Sequence, residues 1–66
     1  YDDTVLRGSK EERSFSCLYL RDGRLIAIDA VNAPRDFMQS KPLIEKRARI
    51  EKALLADSST MLKDLG

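Results

Sequence analysis

The alternation of apolar and polar residues is densest over residues 14–32, SFSCLYLRDGRLIAIDAVN. Two runs rich in β-forming residues flank Asp22 and Gly23, and Asp-Gly between such runs is the strongest short signal for a two-residue hairpin turn. Regular pairing across this turn sets Arg21 against Arg24, Leu20 against Leu25, Tyr19 against Ile26, Cys17 against Ile28 and Phe15 against Ala30. Directly opposed residues share a face of the sheet. One face is then expected to carry Phe15, Cys17, Tyr19, Ile26, Ile28 and Ala30, apolar throughout. The other carries Ser16, Leu18, Leu20, Leu25, Ala27 and Asp29, apolar near the turn and polar away from it. A hairpin apolar on both faces needs covering on both sides. With a first residue, Tyr1, that is not Met, this leads to the expectation of a piece of a longer protein.

Upstream, TVLR reads as a short edge strand over residues 4–7, ended by Gly8 and followed by a charged loop, SKEER, over residues 9–13. Downstream, the pattern changes period. Asn32 is a favourable helix N-cap and Pro34 suits a first helical turn. Phe37, Ser40 or Lys41, and Ile44 follow the spacing of an amphipathic helix. Pro42 removes a donor and crowds the preceding turn, so one kinked helix over about residues 34–47 is expected. Ala53, Leu54 and Leu55 mark a short helical turn, and MLKDL a last one. The chain is thus expected to be α+β, a three-stranded antiparallel meander under a helix and short C-terminal helical turns, in two layers and one domain over residues 1–66.

A chain of 66 residues buries only about 60% of its unfolded surface, so small domains often rely on disulfides or metals. Cys17 is the sole cysteine and there is no histidine. An intrachain disulfide and a thiolate–imidazole zinc site are therefore excluded, and a single free thiol suits a reducing, cytoplasmic setting. No run is long and apolar enough for a membrane helix.

Twelve basic residues against eleven acidic ones leave no global bias toward nucleic acid. Locally, residues 35–52 hold six cationic side chains against three anionic ones. Such a stretch is either a solvated helix face with cations near the C-terminal end of the dipole or a docking patch for an acidic partner.

No constellation for catalysis emerges. A triad lacks its histidine, and three glycines cannot supply a dinucleotide or phosphate loop. Cys17, mid-strand, lacks an activating base. Tyr19 reads as a core aromatic with its hydroxyl at the rim, and Asp29 as a carboxylate among apolar neighbours without a partner that would make it a general acid. Phe15 and Tyr19 on one strand face resemble a single-strand RNA platform only in part, because no basic residues interleave them. Nucleic-acid and membrane partners are not expected.

The ordered pattern F-S-x-x-Y-L-x-x-x-R-L-x-A-x-D-x-V-N-x-P-x-D-F over residues 15–37, with Lys41, Leu43 and Ile44 after it, resembles the C-terminal domain of a family. These are the FAD-dependent, NADH-oxidising ferredoxin reductases that serve bacterial cytochrome P450 and aromatic-ring dioxygenase systems. Arg7 and Gly8, and Leu62, Lys63 and Asp64, fall where that family has an RG and an LKE-like element. The resemblance implies an α+β domain that flanks the flavin of two cofactor-binding domains in the same chain. That domain helps to form the docking surface for an acidic [2Fe-2S] ferredoxin. FAD and NADH would be held by the parent protein and not by these residues. The resemblance places docking positions at Lys41 and Lys63, and at Met38, where some relatives carry a polar residue. The alternative is a small dimerisation or interaction module without a redox role.

Overall fold

The computed structural model describes residues 1–9 and 11–65. Lys10, within the charged loop expected over residues 9–13, and Gly66 lie outside the described residues. Strands β1 (Asp3–Ser9), β2 (Ser14–Arg21) and β3 (Arg24–Val31) form an antiparallel meander in the order β1-β2-β3. Helix α1 (Pro34–Glu45), the short helix α2 (Lys52–Ala56) and a single 3-10 turn (Leu62–Asp64) follow. Helix α1 lies over β3, α2 against β1, and the 3-10 turn along α1. The α+β, two-layer arrangement matches the sequence expectation, and β1 runs through Gly8 to Ser9 instead of ending at Arg7.

Asp22 (φ 53°) and Gly23 (φ 76°) both adopt positive φ, the requirement of a type I′ hairpin turn, whose twist suits the flanking strands. Pairing begins as expected, Arg21 with Arg24 and Leu20 with Leu25, then shifts by one. Tyr19 faces Ala27, Leu18 faces Ile28 and Cys17 faces Asp29, so Ile26 is an extra residue in a bulge. The physical reason is visible in the core. Leu25 and Ile28 are three positions apart and would lie on opposite faces of a regular strand. The bulge lets both turn inward, Leu25 fully buried and Ile28 packed against the core.

The regular register is therefore corrected, and so are the two faces. Ser16, Leu18, Leu20, Leu25, Ile28 and Ala30 face the helices, whereas Phe15, Cys17, Tyr19, Ala27, Asp29 and Val31 face away.

The core takes Val5, Leu18, Leu20, Leu25, Leu43, Ile50, Leu55 and Leu62. Every strand and helical element contributes at least one of them. Burying such a side chain is worth about 1.5–3 kcal/mol.

Helix α1 starts one residue later than expected for an Asn32 cap. Its cap is Ala33, which makes no side-chain hydrogen bond. Asn32 instead takes φ 51° and donates its side-chain amide to the Arg13 carbonyl at 3.0 Å. It ties the two loops together at that end of the sheet. Asn tolerates this left-handed conformation better than most residues.

The helix continues through Pro42, whose missing N–H leaves the Met38 carbonyl without its helical partner on the exposed side. Its buried residues are Ser40 and Leu43, not Phe37, which is 45% exposed. The chain leaves α1 through Arg47 in left-handed geometry (φ 48°). There the Arg47 and Ala48 amides donate back to the Ile44 and Leu43 carbonyls at 3.1 and 2.9 Å. That is the paired bonding of a Schellman stop. Residues 48–50 then bridge the edge of β3 at Arg24, so the sheet gains a short fourth segment near the hairpin turn.

A charged side chain sits inside this core. Arg7 is 2% exposed. Its Nε donates to Asp36 Oδ2 at 3.2 Å, and its Nη1 donates to the Leu55 and Asp57 carbonyls at 3.2 and 2.8 Å. Nη2 donates to the Thr60 carbonyl. Asp36 Oδ2 also accepts from the buried Ser16 hydroxyl at 3.1 Å. Among the described residues no buried side-chain polar atom lacks a partner. Beside it Gly8 has φ 93°, and a Cβ there would lie 2.6 Å from the Ser14 carbonyl oxygen.

Arg7→Ala is expected to cost about 3 kcal/mol in urea unfolding followed by circular dichroism, the low end for a buried pair because the Asp36 carboxylate it strands is only partly buried. A loss below about 1 kcal/mol, the size typical of an exposed pair, would show that the network does not hold the fold. Gly8→Ala is expected to cost about 2 kcal/mol or more in the same measurement, from positive φ and the clash together.

Candidate functional site

The surface that carries the docking candidates is built on α1 and the 3-10 turn. Inward-facing Asp36, Ser40 and Leu43 fix the rotation of α1, the first through Arg7 and the others through burial. That rotation turns Phe37, Met38 and Lys41 outward. Met38 is 62% exposed. The Lys41 ammonium stands 5.0 Å from the centre of the Phe37 ring, a cation–π contact worth about 0.5–1 kcal/mol at an exposed site. It holds the charge over an aromatic platform.

Lys63 belongs to the second element. Leu62 is fully buried beneath the 3-10 turn, and Lys63, next in the chain, is exposed. The Lys63 backbone amide donates to Gln39 Oε1 at 3.2 Å, which docks the 3-10 turn against the middle of α1. The structure thus brings the elements bearing Met38, Lys41 and Lys63 side by side. Two exposed apolar side chains escape the sequence reading. Phe37, which shares the amphipathic spacing with Ser40 and Ile44, faces outward, and Met61 precedes the turn. The signal that could have found Phe37 is the alternative stripe of Asp36, Ser40 and Leu43, which requires accepting a partly buried acid.

The 3-10 turn owes its position to the loop before it. Asp57 accepts from the Ser59 amide at 3.0 Å and from the Thr60 hydroxyl at 2.9 Å. The loop so closed aims the Asp57 and Thr60 carbonyls at Arg7. The Ser59 hydroxyl, the Thr60 hydroxyl and the Ser59 amide hold the Asp57 carboxyl below its ordinary value. Asp3 is lowered likewise, first by its bond to Lys52, with the ion pair at 2.8 Å.

Two other features complete the inventory of polar sites. An open cleft of about 570 Å³ lies at the N-terminus of α1, lined by Ser9, Glu12, Ser14, Arg35 and Ser58 among others. Among its described lining residues no serine hydroxyl donates to the Glu12 or Asp36 carboxylate. On the outer sheet face the Tyr19 hydroxyl donates to Asp29 Oδ2 at 2.6 Å. That bond, then the Cys17 thiol and desolvation, keep the phenol protonated well above its usual range. Asp29 thus does have a partner, across the strand pair that the bulge creates.

Among the described residues no group of three His, Cys, Asp or Glu side chains is placed to hold a metal, and no helix is long and apolar enough to cross a membrane. Of the described glycines, Gly8 lies within β1 and Gly23 in the hairpin turn, neither leading into a helix as a dinucleotide cradle would.

A sequence model described as Reductase C-terminal matches residues 1–66. The chain belongs to this family. It is 42% identical over 65 residues to the 5,5'-dehydrodivanillate O-demethylase ferredoxin reductase subunit of Sphingobium sp. (strain NBRC 103272 / SYK-6), covering 98% of this chain and 16% of that protein. Over 65 residues it is 43% identical to putidaredoxin reductase of Pseudomonas putida, with 98% of this chain and 15% of the relative covered. The ferredoxin reductase component of chlorobenzene dioxygenase from Cupriavidus sp. (strain PS12) is 49% identical over 61 residues, 92% of this chain and 15% of that protein. The chain therefore spans about one sixth of the length of these relatives. Ferredoxin reductases, among them a component of a dioxygenase system, are the proteins it resembles, and the matched family is described as reductase C-terminal, as the sequence pattern implied.

Folding holds the Asp57 and Asp3 carboxyls below their ordinary 3.8. The native state thus binds fewer protons than the unfolded chain as pH approaches that value from above. Their contribution is complete above it and is lost as pH falls through the lowered values. Asp57→Ala is expected to lower the Tm at neutral pH, with the gap to wild type narrowing well below 3.8. A gap independent of pH would contradict this origin.

Proposed function

We propose that this chain is the C-terminal docking and scaffold domain of a cytoplasmic FAD flavoprotein. The parent protein passes electrons from NADH to an acidic [2Fe-2S] ferredoxin serving a P450 or ring-hydroxylating dioxygenase. FAD and NADH are then held by other parts of the parent polypeptide, as membership of the reductase C-terminal family supports. The family membership and the names of the relatives support the parent activity.

The observation that carries the role of the domain itself is the surface on α1 and the 3-10 turn. Phe37, Met38 and Lys41 stand exposed on α1 and Lys63 on the 3-10 turn, with Gln39 locking the two elements together. An apolar centre with cations at its rim suits a partner that must be captured by charge and released after each transfer. Rim charges raise the association rate, and a modest apolar contact keeps the complex short-lived. Met38, 62% exposed, makes this surface more apolar and so tunes which ferredoxin it accepts.

Lys41→Glu with Lys63→Glu in the full reductase is expected to lower kcat/KM for ferredoxin about tenfold through slower association. NADH-driven reduction of ferricyanide should be unchanged, and stability should fall by no more than about 1 kcal/mol, the size of the lost cation–π contact. Equal loss with both acceptors would assign the lysines to folding. No loss with ferredoxin would remove the docking surface from this face.

A further inference from the structure

The chain holds two methionines, and both stand at the surface, Met38 62% and Met61 38% exposed. Methionine is among the residue types most often buried, yet neither side chain joins the hydrophobic core or the partly buried layer packed against it. Their places in the fold are related. Met38 shares the exposed side of α1 with Phe37 and Lys41. It precedes Gln39, whose side-chain oxygen accepts from the Lys63 amide, and Met61 comes two residues before Lys63. Each methionine therefore flanks the contact that joins α1 to the 3-10 turn. The Met61 carbonyl accepts from the Asp64 amide at 3.1 Å and starts that turn, while Leu62 beside it goes inward.

An exposed thioether is open to one reaction that the rest of the domain resists. A thiol reacts as its thiolate, and Cys17 is half-buried in the middle of β2 without a base to ionise it. A thioether needs no deprotonation, so access to the sulfur governs its rate. With hydrogen peroxide as oxidant, the sulfur gives an electron pair to one peroxide oxygen, and the S–O bond forms as the O–O bond breaks. The hydroxide released takes the proton of the S–OH group and leaves as water. The sulfur is oxidised to a sulfoxide and the peroxide is reduced. The product is a polar, chiral side chain where a flexible apolar one stood. Because neither methionine fills the core, that change acts on the surface and leaves the fold in place.

We propose that Met38 and Met61 form a peroxide-sensitive modification site, whose sulfoxides weaken capture of the electron acceptor until they are reduced again. This deepens the docking assignment and rests on it. A sulfoxide within an apolar contact is an acceptor that the partner surface is not built to meet. Lys41 and Lys63 keep their charges, so attraction at a distance persists and the loss falls on the close contact. Methionine sulfoxide reductases, one for each epimer, reverse the change, which makes it a switch.

The test treats the full-length reductase with hydrogen peroxide and reads the gain of an oxygen at each methionine by peptide mass spectrometry. The oxidised enzyme shows a KM for its ferredoxin raised about fivefold or more, the size of one unmet polar group in a contact. Ferricyanide reduction and the Tm stay where they were. Repair with both methionine sulfoxide reductases restores the KM. The double variant Met38→Leu, Met61→Leu conserves volume and carries no thioether at either position. Compared with itself before and after peroxide, its KM does not move. Absence of sulfoxide at Met38 and Met61 while other methionines of the reductase are oxidised overturns the proposal, as does an unchanged KM with both oxidised. A rise of equal size in the double variant puts the effect elsewhere and also overturns it. Charge reversal at Lys41 and Lys63 separates the two readings. A KM raised by charge reversal but not by the sulfoxides defeats only this inference, whereas a KM moved by neither removes docking from this face.

Discussion

The burial of Arg7 is the constraint on which the rest depends. A guanidinium inside a small domain must have its donors satisfied, and the acceptors come from three separate parts of the chain: Asp36 in the first turn of α1, the end of α2 at Leu55, and the loop carbonyls of Asp57 and Thr60. Ser16 joins β2 to the same carboxylate. The ion pair need not exceed an apolar substitute in stability. Its effect is geometric, because each partner can occupy only one place. Asp36 fixes the rotation of an uncapped helix, where an acid in the first turn also meets the positive end of the dipole. The loop carbonyls fix where the 3-10 turn begins. Those two placements together determine where Lys41 and Lys63 stand.

The same economy separates the two sides of the domain. Leucines from every layer fill one side of the sheet, and the helices close it. The outer side keeps aromatic and aliphatic residues, although the strands could alternate with polar ones there, as a sheet facing water normally does.

Much of this was legible in the chain. Asp22 and Gly23 dictate the hairpin because only residues tolerant of positive φ suit that turn, and the helical stretch followed from Pro34 and the change of period. The register beyond Leu20 was not legible, because regular alternation hides a bulge whose cause is Leu25 and Ile28 competing for one core. Asn32 misled for a related reason. The residue that caps helices well also tolerates left-handed backbone, and here it uses its amide on Arg13. Arg7 was hidden by the ordinary expectation that strand-end cations face water, although its two-residue spacing from Val5 placed both on one side. Lys41, Lys63 and Met38 were singled out by family resemblance. Physical pattern alone offered a locally basic helix without saying which cations matter.

The central claim is that the exposed face of α1 and the 3-10 turn meets the electron acceptor. Its most direct test is lysine acylation of the full-length reductase with and without its ferredoxin. The account predicts that ferredoxin slows labelling of Lys41 and Lys63 while Lys52, paired with Asp3 at 2.8 Å beside β1, labels at an unchanged rate. Unchanged labelling of Lys41 and Lys63 under saturating ferredoxin would contradict it.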